Sequence, residues 1–233
     1  MKIAPKQPEL GVEEVSVIML GGFNPTIFQP MWFAKEGLLR DSEATDAKIT
    51  VVHQDVTGFS TDWFALQVTR DQFSASIKAD AYIPHFSDLV RGVFQKLTHT
   101  PVRKMGINIQ EKVRFKSEED WHAFGHFLLP KSPWKGVAGK VGMRSVQMQC
   151  QGRDDAYKGF LLVIVEPQLA TKSDAMMRVN DHYEVADEAE QKGAVWATKT
   201  LEAAFQTSIE RSRSMIDALI SNFLATQEVD NGG

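Results

Sequence analysis

The last forty residues constrain the fold most. From Gly193 to about Gln227 the chain reads as one helix, with Leu201, Phe205, Ile209, Ser212, Ile216, Leu219 and Phe223 in a row spaced 4, 4, 3, 4, 3 and 4. At 1.5 Å per residue, about 35 helical residues reach roughly 50 Å. A compact chain of 233 residues is only about 35 Å wide. Such a helix must either overhang its globule and grip a second chain, or lie across an extended sheet. The near-heptad spacing favours the first solution. The sequence therefore predicts a homodimer, with Leu201, Phe205, Ile209, Ile216, Leu219 and Phe223 carrying self-association or gripping the sheet.

Ahead of that helix, periodicity gives alternating sheet and helix signals. "VSVIML" (15–20) reads as a buried strand, and a helix starts near Pro30, since proline suits a first helical position. "KITVVHQDV" (48–56), "DWFALQVT" (62–69) and "DQFSASI" (71–77) read as three strands, the first two separated at Gly58 and Ser60. Phe86, Leu89, Val90, Val93 and Leu97 form the stripe of an amphipathic helix. The order then repeats. "VRKMGINIQEKVRF" (102–115) alternates as a half-exposed strand, with Met105, Ile107, Ile109, Val113 and Phe115 on one face and Glu111 the only charge among them. Ser117 caps a helix, and strands follow at 141–152, 159–167 and 176–185. The expected fold is α+β: two halves of strand, helix, three strands and helix, forming a mainly antiparallel sheet with helices on one face and the long helix last. The halves are placed at 15–100 and 101–227, after an N-terminal extension (1–14) and before a disordered tail (228–233).

This order of elements resembles the duplicated saddle of TATA-binding-protein-like folds and, in its closing helix, helix-grip proteins; both are likenesses of fold, not function. "FNPTIFQPMWFAKEGLL", "GINIQ", "LLVIV" and "LEAAFQTSI" also resemble a sporadically distributed prokaryotic family of similar-length proteins without an assigned activity. The resemblance implies a prokaryotic cytoplasmic protein and carries over no catalytic residue.

Composition excludes several classes. With 43% apolar and 24% charged residues the chain is of ordinary globular type. Its longest apolar run has strand length, so no membrane-spanning helix is expected, and "MKIAPKQPELGVEE" has no secretory apolar core. The single Cys150 rules out an intrachain disulfide and fits a cytoplasmic location. Alternation with Val146 and Met148 marks it as a core thiol. Charge is unevenly spread: residues 91–144 hold eleven Lys and Arg against four acids, a net of +7, which leaves −11 on the rest of a chain of net −4. Either the basic part meets an anionic partner, or the acidic and basic parts fold on one another.

The basic part centres on "LPKSPWKGVAGKVGMRS" (129–145), with one Trp, three glycines, four cations and no acid. Backbone N–H groups freed by glycine beside lysines suit phosphate or carboxylate. Val141 stands where a Walker A loop needs Ser or Thr after its lysine, which argues against ATP hydrolysis. The candidate anion or nucleic-acid site comprises Lys104, Lys112, Arg114, Lys131, Trp134, Lys135, Lys140 and Arg144. Ser145, Gln147, Gln149 and Gln151 are expected on the strand beside Lys104–Arg114.

Catalytic signals are weak. His122 and His126 share a helix face with Glu118, a zinc-like spacing, but Ala123 replaces the glutamate of a zinc protease. His53 and Asp55 share a strand face, while Asp181 and His182, adjacent in a strand, point to opposite faces. No G-x-S-x-G, G-x-G-x-x-G, C-x-x-C or H-E-x-x-H occurs, and no metal or cofactor is expected. The reading is thus a non-enzymatic cytoplasmic module that acts through a protein partner as a homodimer. A nucleic-acid or phosphorylated-ligand binder using residues 91–144 stands second, and an enzyme using His53, Asp55, His122, His126 or His182 third.

Overall fold

The computed structural model describes residues 7–137, 139–185 and 193–231. Among them are nine strands: β1 Glu9–Gly21, β2 Lys48–His53, β3 Val56–Ser60, β4 Phe64–Thr69, β5 Gln72–Ile77, β6 Val102–Arg114, β7 Val146–Cys150, β8 Lys158–Gln168 and β9 Asp174–Glu184. The α-helices are α1 Pro30–Lys35, α2 Asp41–Thr45, α3 Ile83–Lys96, α4 Glu118–Leu128 and α5 Gly193–Asn231. All nine strands join one sheet in the order β2-β3-β4-β5-β1-β6-β9-β8-β7. Every neighbouring pair is antiparallel. The protein is α+β, and no described helix is long and apolar enough to cross a membrane.

The two long strands make the centre. β1 and β6 pair from Glu9↔Arg114 to Gly21↔Val102. From each, the chain passes through helix to one edge of the sheet and meanders back, ending in a helix. The halves differ in one respect from expectation: the first meander has four strands rather than three. The stretch 48–56 folds as a hairpin that turns at Gln54 and Asp55, and Gly58 lies inside β3, which ends at Ser60. Asp55 is a turn former, and its N–H donates to Nδ1 of His53 at 3.3 Å. Residues 9–14, expected in an extension, belong to β1.

Alternation decides the core. Val15, Val17 and Met19 of β1, Met105, Ile107, Ile109 and Val113 of β6, and Ala175, Met177, Val179 and Tyr183 of β9 are all buried. α3 and α5 pack against each other, α3 against β5, and α5 against β6 and β9.

The helical stripe is spent within its own chain. Leu201, Phe205, Ile209, Ser212, Ile216 and Phe223 are buried, and Leu219 is half-buried beside fully covered Ile220. They are therefore not free to form a seam with a second copy. The physical reason is length matching. Gly193 sits so close to Val102 that an added Cβ would lie 2.2 Å from the Val102 nitrogen, and the Phe223 ring lies 6.2 Å from that of Phe115. The helix thus runs along β6: thirty residue steps at 1.5 Å give about 45 Å, and thirteen strand steps at 3.4 Å give about 44 Å. Over that span the helix needs no partner, because a strand of nearly the same length lies under it. The helix continues to Asn231, past the expected end near Gln227 and into the stretch expected as a tail; residues 232–233 of that stretch lie outside the described residues.

Candidate functional site

α4 begins at Ser117, whose Oγ accepts from the Asp120 N–H at 3.0 Å, as a capping serine should. Two aromatic residues fix its place. The Trp121 indole donates to the Asp174 carbonyl at 2.9 Å, and the Phe124 ring lies 5.0 Å from Phe115 and 5.3 Å from Phe223. The neighbouring face of α4, with His122, Gly125 and His126, is left to line a cleft of about 830 Å³.

The loop 129–145 forms the facing wall. A short 3-10 turn, Ser132–Trp134, is followed by the glycine-rich run. Lys131, Trp134, Lys135, Lys140, Val141 and Met143 line the cleft, and Pro167, Leu169 and Ala175 close the end where β8 turns into β9. The lining is mostly carbon with ammonium and imidazole groups among it. Burial, then Lys131, then His122 hold the His126 imidazole below its ordinary range, so it is neutral at pH 7. The His122 ring lies 4.9 Å from Trp121, and its Nε2 is 3.6 Å from Glu118.

The structure splits the predicted basic set in two. On the sheet, Lys104 pairs with Glu184 at 3.1 Å, Lys112 with Glu13 at 3.1 Å and Arg114 with Asp174 at 3.3 Å. There the acidic and basic parts do fold on one another. Lys131, Lys135, Lys140 and Arg144 are exposed and have no ion-pair partner among the described residues; the three lysines line the cleft, and Arg144 does not.

The expected continuation of the polar sheet face is corrected. β7, which carries Gln147 and Gln149, is the far edge strand, separated from β6 by β9 and β8. The neighbour of β6 is β9, and Asn180 donates its amide to Asn108 across that pair. Cys150 is also corrected: it and Met148 are exposed. They do face the helix side of the sheet, but α5 follows β6 and leaves the edge uncovered.

Of the histidine candidates, His53 and Asp55 are brought together by the β2–β3 turn at 3.3 Å, in the open. No group of three metal-ligating side chains occurs among the described residues. Asp181 and His182 do point to opposite faces: Asp181 is fully buried under α5, and His182 stacks on Phe160 with ring centres 4.5 Å apart.

Asp181 belongs to a cluster that sequence reasoning missed. Arg153, in the β7–β8 connection, makes a two-pronged contact with Asp155 at 2.8 and 2.7 Å and also bonds Asp181. Arg211 of α5 donates to Asp181 and to Asp155, both at 2.9 Å. The Tyr183 hydroxyl donates to Asp181 at 3.0 Å, and Arg153 lies 4.3 Å over the Tyr183 ring. Hydrogen bonds from Arg153 hold Asp155 down to about 2, while burial and Asp181 push Tyr183 up to about 12. Neither group titrates near neutrality, so the cluster clamps loop, strand and helix together rather than moving protons. One signal is present in the sequence: Asp181 interrupts the apolar alternation Ala175, Met177, Val179, Tyr183, as Glu111 interrupts that of β6.

The chain matches no protein-family model, and no curated protein is significantly similar to it. Fold and site define an α+β protein with a carbon-lined, lysine-rimmed cleft, and function is argued from that cleft.

Proposed function

We propose that this is a binding protein whose ligand is a small anion with an apolar body, held in the cleft between α4, the loop 129–145 and the β8–β9 end. One observation carries the reading. Among the described residues Lys131, Lys135 and Lys140 have no ion-pair partner around a mostly apolar cleft of about 830 Å³, while the sheet cations Lys104, Lys112 and Arg114 are paired. That volume is within the usual range for small-molecule sites, which are apolar with a few placed polar groups. Trp134, 45% exposed, offers a ring face to the ligand body, and the lysines offer charge to its phosphate or carboxylate. The pairing of the sheet cations favours a compact anion over a long nucleic acid, which needs a continuous row of free cations. The burial of the α5 stripe likewise disfavours a protein partner held through that helix.

The test is titration with 8-anilinonaphthalene-1-sulfonate, an apolar anion, followed by its fluorescence and by tryptophan quenching. One saturable site is expected. Lys135→Gln with Lys140→Gln should weaken it about tenfold, the effect of losing roughly 1.4 kcal/mol of interaction, and raising salt should weaken it too. Binding that ignores both changes, or no binding, sinks the proposal. Salt-sensitive binding of a labelled single-stranded oligonucleotide that the dye does not displace would instead revive the nucleic-acid reading.

A further inference from the structure

The two edges of the sheet are protected differently. β2 starts at Lys48, is irregular between Ile49 and Val51, and ends at His53. Charges and bulges of this kind discourage further strand pairing. β7 has neither. Its sequence, Val146-Gln147-Met148-Gln149-Cys150, is uncharged and contains no proline, and it pairs with β8 without a register shift. Among the described residues no strand pairs with its free side. Its helix-side residues lie beyond the reach of α5: Met148 is 63% exposed, Cys150 is exposed, and Val163 beneath them is only partly buried.

The pattern of β7 reads the same in both directions. We infer that β7 is an interface for a second copy of this chain, in which the two β7 strands pair antiparallel about Met148 and join two nine-stranded sheets into one. In that register Val146 faces Cys150 of the other copy and Met148 faces Met148, apolar against apolar. On the opposite face Gln147 meets Gln149, amide against amide. The exposed charges just outside the strand are opposite in sign: Arg144 precedes it and Asp154 follows it, so in an antiparallel pair a cation and an acid fall at the same end. A second copy is therefore the occupant whose pattern fits at every position of the strand. The homodimer expected from the helix is thus carried by the sheet edge, through main-chain hydrogen bonds with side chains setting the register.

Sedimentation equilibrium of the full chain up to about 200 µM tests this, since a short ladder gives affinities in the micromolar range. The expected mass at high concentration is twice 26.1 kDa. Met148→Lys places like charges directly opposite each other across the two-fold axis and should hold the protein at 26.1 kDa, with an unchanged circular dichroism spectrum because the side chain is exposed. Val146→Cys should yield an intermolecular disulfide to Cys150 on oxidation, because directly opposed strand residues have the required separation. A wild-type mass of 26.1 kDa throughout overturns the inference. So does a dimer that survives Met148→Lys. A Met148-sensitive dimer in which the Val146→Cys variant forms no cross-link to Cys150 overturns the register, and with it the self-matching argument.

Discussion

Arg211, on the C-terminal helix, donates to Asp181, in the strand next to the centre of the sheet, at 2.9 Å, and Asp181 is wholly buried. Asp181 also accepts from Arg153 and Tyr183. A buried carboxylate with three donors is costly to lose, because two guanidinium groups are then left to share Asp155 alone. Asp181→Asn should destabilise the fold by about 3–5 kcal/mol, read as a lower urea midpoint with unchanged slope. Arg211→Ala should cost less, since Arg153 and Tyr183 still satisfy Asp181.

Glu111 is the other acid in an apolar register, and its partnering is poorer. Arg213 lies 3.5 Å away but also serves Asp80 at 2.7 Å. Burial raises the Glu111 carboxyl above its ordinary 4.5. A raised folded-state value means the folded protein holds the proton more tightly than the unfolded chain. The stabilising contribution is complete below about 4.5 and is lost as pH rises through the folded value. Glu111→Gln should therefore be more stable than the parent at pH 7, and the gain should vanish towards pH 4.5. Each kcal/mol gained shifts Tm by about 2–4 °C in a chain of this size, so thermal melts at the two pH values decide it. An equal shift at both pH values would mean that the charge is not the cause.

In the cleft, His126 is neutral at pH 7 because burial and Lys131 disfavour its cation. A bound anion offsets Lys131 and favours the imidazolium, so binding takes up a proton. The affinity for 8-anilinonaphthalene-1-sulfonate should rise as pH falls from 7.5 to 5.5, as proton uptake on binding requires. His126→Gln should flatten that rise while leaving the pH 7.5 affinity close to the parent value. A rise that persists in His126→Gln would assign the proton to another group.

These sites differ in how far the sequence announces them. The β6 face is legible because alternation in "VRKMGINIQEKVRF" is strict, and α4 because Ser117 and Asp120 form a local cap. Local patterns survive into the structure because they depend only on neighbours in the chain. The β2–β3 hairpin is missed because Gly58, a usual breaker, sits within a strand whose neighbours tolerate it. Cys150 is misplaced for a different reason. Alternation shows which face a residue takes, but not whether a helix covers that face, and only the path of α5 along β6 decides that. The Arg153–Asp181–Arg211 cluster joins residues 58 positions apart and leaves no local trace beyond an acid in an apolar row. The cleft is half legible: "KSPWKGVAGK" shows its cations, and the apolar wall supplied by Trp121, Leu169 and Ala175 comes from three separate elements.

The length match between α5 and β6 makes a prediction that a helical dimer seam does not. Ile216 is fully buried, and Leu219 lies at the margin of the same stripe. If the stripe belongs to its own sheet, Ile216→Ala opens a cavity within one chain and should cost about 2–5 kcal/mol. Leu219→Ala, which deletes a partly exposed side chain, should cost less, about 1 kcal/mol, as marginal sites do. In the Met148→Lys background, where β7 pairing is blocked, both losses should be independent of protein concentration, because nothing dissociates when the helix loosens. A dimer seam predicts the reverse: its melting temperature rises with concentration by mass action, and the Ile216 and Leu219 variants change mass before they unfold. Denaturation of the parent and of each variant in that Met148→Lys background at about 2 and 200 µM separates the two. Coincident curves keep the helix on its own strand, and a midpoint that climbs with concentration in the parent and not in Ile216→Ala moves it onto a second chain.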